Sequence, residues 1–208
     1  MYWLLKRKGV FIVIEGIDGA GKTVVALEIV KRIKKLGIEV IYTHEPYTSP
    51  FSKALKQLSE ECLDPELEAL ALAADRYIHV KKVIEPAFKK GIIVISDRYY
   101  YSSIAYQGAK GANVEWIETL NNWAPNPDLA IYLDVEPEEG LRRRANAISE
   151  WPHFEKLTII KKAREIYSEL VKKGKLICID AMKPLNIVID NVWNCILELL
   201  KKRNIVKP

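Results

Sequence analysis

Short runs of nearly continuous apolar residues recur along the chain, at 10–15 (VFIVIE), 38–43 (IEVIYT), 91–96 (GIIVIS), 128–134 (DLAIYLD) and 174–179 (GKLICI). Unbroken apolarity over so few residues, rich in Val and Ile, predicts strands buried on both faces, as in a parallel sheet. Between these runs the apolar positions recur every three to four residues, over about 22–36, 51–60, 64–90, 113–123, 137–147, 154–173 and 184–203. That period predicts amphipathic helices. Gly37, Gly91 and Gly174 stand where a helix gives way to the next strand, a common place for a helix-ending residue. The alternation predicts one α/β domain over 1–208: a doubly wound, five-stranded parallel sheet with helices on both faces and ligands at the carboxyl ends of its strands.

One stretch breaks the rhythm. Leu141–Glu155 carries Arg142, Arg143 and Arg144, then a poorly helical run with Asn146, Ser149, Pro152 and His153. It reads either as a solvated charged helix leading into a surface loop, or as a short cationic lid over phosphates, at about 141–155.

Composition narrows the classes. A 208-residue chain that is 49% hydrophobic and 28% charged has the balance of an ordinary soluble domain. The net charge of +5 favours anionic ligands but is spread too evenly to argue for nucleic acid. Cys62, Cys178 and Cys195 form no C-x-x-C pair, which predicts reduced, mostly buried thiols in a cytoplasmic protein. The opening MYWLLKRKG puts apolar residues before charges, the reverse of a signal peptide. No apolar run approaches the roughly 20 residues of a membrane span. Scarce Gln beside abundant Ile, Lys and Glu leans towards a thermophile.

The chemistry concentrates after the first predicted strand. Gly16-Ile17-Asp18-Gly19-Ala20-Gly21-Lys22-Thr23 fits G-x-x-x-x-G-K-[ST] at every fixed position. The glycines let backbone N–H groups converge on phosphate oxygens, Lys22 reaches the β- and γ-phosphates, and the Thr23 hydroxyl ligates Mg²⁺. The helix that follows aims its positive end at the anion. A glycine-rich turn without a ligand is the plainer alternative, and strand, loop and helix in the required order weigh against it. Asn121-Asn122-Trp123-Ala124 does not fit the N-K-x-D element that reads guanine, which disfavours a GTPase.

Two further clusters are candidates. In Ser96-Asp97-Arg98-Tyr99, Asp97 ends a predicted strand where an Mg²⁺-directed carboxylate belongs, and Arg98 offers a planar fork for phosphate. The alternative is a structural ion pair between the two. In Ala73-Ala74-Asp75-Arg76-Tyr77, small residues leave room for a ligand, with Arg76 one turn after Leu72. On its own residues an exposed Arg76 is the simpler reading.

Taken in order and spacing, Gly16–Thr23, Thr43-His44-Glu45-Pro46, Ala73–Arg76, Asp97-Arg98-Tyr99, Ser102–Gln107 and Pro127-Asp128-Leu129 resemble the thymidylate kinases. These nucleoside monophosphate kinases use ATP to phosphorylate dTMP, the dTDP-forming step of nucleotide biosynthesis. The resemblance covers nearly the whole chain. It implies ATP on Gly16–Thr23 with an adenine loop at Asp180-Ala181-Met182, and Mg²⁺ on Thr23 and Asp97. Asp18 would hold the sugar 3′-hydroxyl, Arg76 and Ser103 the thymine edge, and Arg98 the acceptor phosphate. Tyr106 would crowd the sugar 2′ position, with Glu45, Pro46 and Gln107 in the same pocket. A homodimer is implied as well.

Three departures stand out. Leu72 takes the place of a phenylalanine that stacks on thymine, giving up roughly 0.5–1.5 kcal/mol of stacking and loosening base choice. His44 replaces an arginine, with Lys53 and Lys56 as nearby cations. Ile17, Asp18, Gly19 and Ala20 include no basic residue, so catalytic charge at the transferring phosphate is expected from Arg142, Arg143 or Arg144 beside Lys22 and Arg98. The later lid arginines of some relatives align with Ala145 and Ala147. The competing functions are a kinase for another small acceptor and a nucleic-acid-dependent P-loop ATPase.

Overall fold

Phe11, Ile12, Val13 and Ile14 are wholly buried, and the strand they build, β1 (Phe11–Glu15), is the middle of the sheet. Successive strand residues point to opposite faces, so four buried in a row require cover on both. In this computed structural model, which describes residues 9–58, 64–144 and 156–206, β1 is flanked by β3 (Ile93–Asp97) and β4 (Leu129–Asp134). Its Ile14 stands opposite Asp97 on one side and Ile131 on the other. β2 (Val40–His44) and β5 (Ile177–Asp180) close the edges, giving an all-parallel sheet of order β2-β3-β1-β4-β5.

The expected strands are all present. Those after Gly37, Gly91 and Gly174 start two or three residues late, because each glycine turns left-handed to finish the preceding helix. Helices surround the sheet: α1 (Lys22–Lys35), α2 (Pro50–Leu58), α3 (Pro65–His79), α4 (Glu85–Lys90), α5 (Tyr100–Lys110), α6 (Val114–Leu120), α7 (Pro137–Arg144), α8 (Leu157–Lys172) and α9 (Leu185–Lys202). α1 packs with α9, and α5 with α8.

Two elements differ from expectation. The run 64–90 is not one helix, because a π-turn (Val80–Ile84) separates α3 from α4, with the Glu85 N–H donating five residues back to Val80. Pro86 explains it: the ring has no N–H and would press on the carbonyl four residues earlier, and a wider turn relieves that contact. α5 was not expected at all. Its YYSSIAYQG composition is poor in strong helix formers, and it is held by packing, with Gly108 close against Val114 and Ile166.

The thiols also correct the sequence reading. Cys178 is exposed on the edge strand and Cys195 is half-buried, both unpaired, while Cys62 lies outside the described residues. So does most of the expected lid, 145–155; its first residues, Leu141–Arg144, form the last turn of α7. Among the described residues no helix is long and apolar enough to cross a membrane.

Acidic residues finish four of the strands at their carboxyl ends, Glu15, Asp97, Asp134 and Asp180, and Glu45 follows β2. This edge, on either side of the central strand, is where a doubly wound sheet collects ligands.

Candidate active site

β1 runs into the glycine-rich loop 16–21 and then α1. Gly19 adopts φ +80 and lies so close to the Gly140 backbone that a Cβ would collide with it. α7 therefore presses, backbone on backbone, against the loop. Lys22 is buried, and its Nζ donates to the loop carbonyl of Ile17 at 2.9 Å. Burial and the neighbouring Arg98 charge push the Lys22 pKa down to about 8, against the pull of Asp18, Asp97 and Glu15.

The Thr23 hydroxyl donates to Asp97 Oδ2 at 2.5 Å, while Asp97 Oδ1 is buried with no hydrogen-bond partner. One hydroxyl and one under-used carboxylate beside a phosphate loop form a hard-oxygen donor set that suits Mg²⁺ sharing its shell with phosphates and water. Among the described residues no cluster of three or more His, Cys, Asp or Glu would hold a metal unaided. Asp97 and Arg98 do not pair with each other.

Arg98 instead reaches across to the loop. Its guanidinium donates to Asp18 Oδ1 at 2.7 Å, to Gly16 O at 3.1 Å and to Ser102 Oγ at 3.0 Å, and lies over the Tyr106 ring. Its backbone is left-handed (φ 70), which costs a side-chain-bearing residue about 1–2 kcal/mol. Asp18 meets a second arginine, Arg144, at 2.9 Å, and its N–H donates to the Tyr106 hydroxyl at 3.1 Å. Burial would raise the Asp18 pKa, but Arg98, Lys22 and Arg144 outweigh it and hold it at about 2.

Arg76 is 2% exposed, contrary to the simpler reading of its helix. Nε donates to Glu45 Oε2 at 2.7 Å, one terminal nitrogen to Asn121 Oδ1 at 2.5 Å and the other to Ser103 Oγ at 3.0 Å. The second Glu45 oxygen lies 2.9 Å from His79 Nδ1, and His79 Nε2 is 2.6 Å from Thr43 Oγ1. Three separate segments, the loop after β2, α5 and the turn after α6, thus hold the guanidinium of this α3 residue. Around it opens a cavity of about 620 Å³ whose lining includes Glu45, Pro46, Leu72, Ser103, Tyr106 and Gln107, a size suited to a small organic ligand. His44, Lys53 and Lys56 line it as well. A second cavity, of about 470 Å³, lies over Gly19, Gly21, Lys22, Thr23 and Asp97.

The three consecutive arginines of α7 part company. Arg144 lines both cavities. Arg143 donates to Glu139 and to the Ala181 carbonyl at 3.0 Å, and Arg142 pairs with Glu139 at the surface. Ala181 is buried and Met182 is exposed, beyond the end of β5 and lining neither cavity.

A family model described as thymidylate kinase matches residues 14–192, from the end of β1 into α9. The chain belongs to the thymidylate kinase family. It is 44% identical over 195 residues to "Probable thymidylate kinase" of Staphylothermus marinus, covering 94% of this chain and 98% of the relative. To the protein of the same name from Archaeoglobus fulgidus it is 42% identical over 195 residues, covering 93% and 98%. The Pyrococcus horikoshii relative is 48% identical over 143 residues, 65% of this chain and 70% of its own.

Within this thymidylate kinase fold several buried polar residues escaped the sequence reading. Glu15 on β1, Thr43 on β2, Glu68 and His79 on α3, and Asn121 just past α6 take their roles from partners that only the fold supplies, although Thr43 stands in the Thr43–Pro46 motif and Asn121 in the rejected N-K-x-D comparison. Glu68 takes hydrogen bonds from Gln107 Nε2 at 3.1 Å and Lys110 Nζ at 2.5 Å. Glu15, an acidic residue ending a wholly apolar strand, was the one legible anomaly among them.

Proposed function

We propose that this chain, a single P-loop kinase domain acting as a cytoplasmic homodimer, uses ATP and Mg²⁺ to phosphorylate dTMP to dTDP. One observation carries the reading. The two cavities share a wall, and Asp18, His44, Glu45, Arg98 and Arg144 line both. A triphosphate on the glycine loop and a monophosphate in the larger cavity would meet end to end at that wall, between two arginines.

Phosphoryl transfer asks for alignment and charge compensation more than covalent chemistry. Lys22 and the loop N–H groups hold the donor phosphates. Arg98 holds the acceptor phosphate, and Arg144 adds charge where the two substrates meet. Mg²⁺, when held by Thr23 and Asp97, supplies charge compensation across the donor phosphates. The acceptor phosphate oxygen is already a nucleophile, so no general base is needed. Arg76 and Ser103 offer donors to the base edge, Gln107 lies beside them, and Leu72 gives the ring an apolar cover. Asp18 and Tyr106 flank the sugar. Ala181 and Met182, in the loop after β5, complete the donor site at the adenine.

The homodimer is supported by an exposed apolar stripe, Leu67, Leu70 and Tyr77 on one face of α3 with Phe51 and Leu58 on α2.

A kinetic panel of dTMP, dUMP, UMP, dCMP, dGMP and dAMP with ATP and Mg²⁺ tests the function. The highest kcat/KM is expected for dTMP. Inert monophosphates, with ATP hydrolysis stimulated by DNA or RNA, would replace this reading with a nucleic-acid-dependent ATPase.

A further inference from the structure

We propose that Glu15 is a positioning residue for Arg98, fixing both the left-handed backbone turn at Arg98 and, through Ser102, the direction of its guanidinium. The inference rests on the proposed function, in which Arg98 holds the acceptor phosphate.

Arg98 and Asn204 are the described non-glycine residues with positive φ. Asn204 follows the end of α9, and asparagine tolerates that conformation well. Arginine does not, so the surroundings must impose it. Its N–H donates to Ile14 O at 2.9 Å, and the Ser96 hydroxyl donates to its carbonyl at 2.7 Å. The next N–H, that of Tyr99, donates to Glu15 Oε1 at 2.8 Å. The other Glu15 oxygen accepts from Ser102 Oγ at 2.6 Å and from the Tyr167 hydroxyl at 2.9 Å. Ser102 in turn accepts from the Arg98 guanidinium at 3.0 Å. One carboxylate therefore grips the chain just past Arg98 and terminates a directed series, Arg98 to Ser102 to Glu15. Each bond in such a series polarises the next.

Nothing about β1 itself calls for a charge at this position. The four residues before Glu15 are apolar and buried, and an apolar fifth would avoid the cost of desolvating a carboxylate. That cost is visible in the Glu15 pKa, which burial raises from 4.5 to about 7 despite Ser102, Arg98, Tyr167 and the Tyr99 N–H. What a carboxylate alone offers here is three simultaneous acceptor contacts around Arg98. Tyr167, itself buried and stacked on Tyr132 at 4.7 Å, anchors the far side from α8.

The test is a double-mutant cycle on the best monophosphate acceptor of the wild-type enzyme. Glu15→Gln is expected to lower kcat/KM for the monophosphate about 10- to 100-fold, the scale of a small misplacement of a positioned group. The KM for ATP should change less than the monophosphate kcat/KM, because the Glu15 carboxylate itself bonds to Tyr99, Ser102 and Tyr167 and to none of the loop residues that hold the donor phosphates. In an Arg98→Ala background the same change should add less than about threefold, since the residue it serves is gone. Should Glu15→Gln fail to fold by circular dichroism, Ser102→Ala, which removes only the connecting hydroxyl, takes its place in the cycle with the same non-additivity expected. Wild-type turnover in the variant, or losses that multiply in the double variant, would overturn the inference alone. A wild-type enzyme inert toward every monophosphate would overturn the proposed function and this inference with it.

Discussion

Arg142 and Arg144 sit two positions apart on α7 and live in opposite surroundings. A two-residue step rotates a helical side chain by about 200°, so when Arg144 meets Asp18, Arg142 faces water, its side chain 75% exposed. With ATP and dTMP, Arg144→Ala should lower kcat about 100-fold, as for loss of one transition-state charge partner. Arg142→Ala should stay within about twofold, as at an ordinary surface site. Equal losses would return the catalytic charge to the whole run. Titration gives a second check at this scale. Glu15 binds its proton more tightly folded than unfolded, so its contribution to stability is full below pH 4.5 and is lost as pH rises through about 7. Asp18, held at about 2, behaves oppositely: its contribution is present above 3.8 and lost as pH falls towards 2. Between pH 5 and 8 only Glu15 of the two changes. The Tm of Glu15→Gln minus that of wild type should therefore climb across this window, and a flat difference would show that the carboxyl titrates normally. Such residues were hard to read in advance. Asn121 drew notice only as a failed guanine-reading motif, yet it holds Arg76, a role that a contact 45 residues away in sequence decides.

Among the elements, the central strands were legible because burial on both faces leaves an unbroken apolar run, and the long helices because theirs is periodic. The edge strands β2 and β5 carry the same apolar run without that burial, with Ile177 and Cys178 exposed. α5 was not legible. Its aromatic and hydroxyl side chains are chosen for the cavity and for Glu15, and packing supplies what local propensity lacks. The π-turn had a visible cause in Pro86, but a helix of this length can also bend or break at a proline, and only the tertiary contacts decide among these outcomes. Gly91 offers a test of how the elements deliver the site, since it ends α4 just before the strand that carries Asp97 and Arg98. Its φ of 78 suits no side chain well, so Gly91→Ala should destabilise the protein by about 1–2 kcal/mol. Thermal unfolding should register this as a drop of roughly 2–4 °C per kcal/mol. An unchanged Tm would mean the turn relaxes.

At the scale of the molecule, the order β2-β3-β1-β4-β5 brings segments near 16–23, 44–56, 72–76, 97–107 and 144 to one edge of the sheet. The proposed donor side was readable because the glycine-rich motif confines its chemistry to eight consecutive residues. The larger cavity, where the proposed function puts the acceptor, draws on α2, α3, α5 and the loop after β2, so no local pattern announces it, and the family resemblance supplied what spacing alone did not. The backbone contact between Gly19 and Gly140 makes the distance between the donor loop and α7 a matter of one missing carbon. A Cβ built on Gly140 would stand 2.6 Å from the Asp18 carbonyl, so Gly140→Ala acts as a spacer, wedging Arg144 outward while every functional group remains. Alanine should favour the helix itself by about 1 kcal/mol, yet kcat should fall, and a variant as active as wild type would show that the gap can close. The pair works as a ruler graduated in single atoms, on which a gain in helix formation reads as a loss of reach.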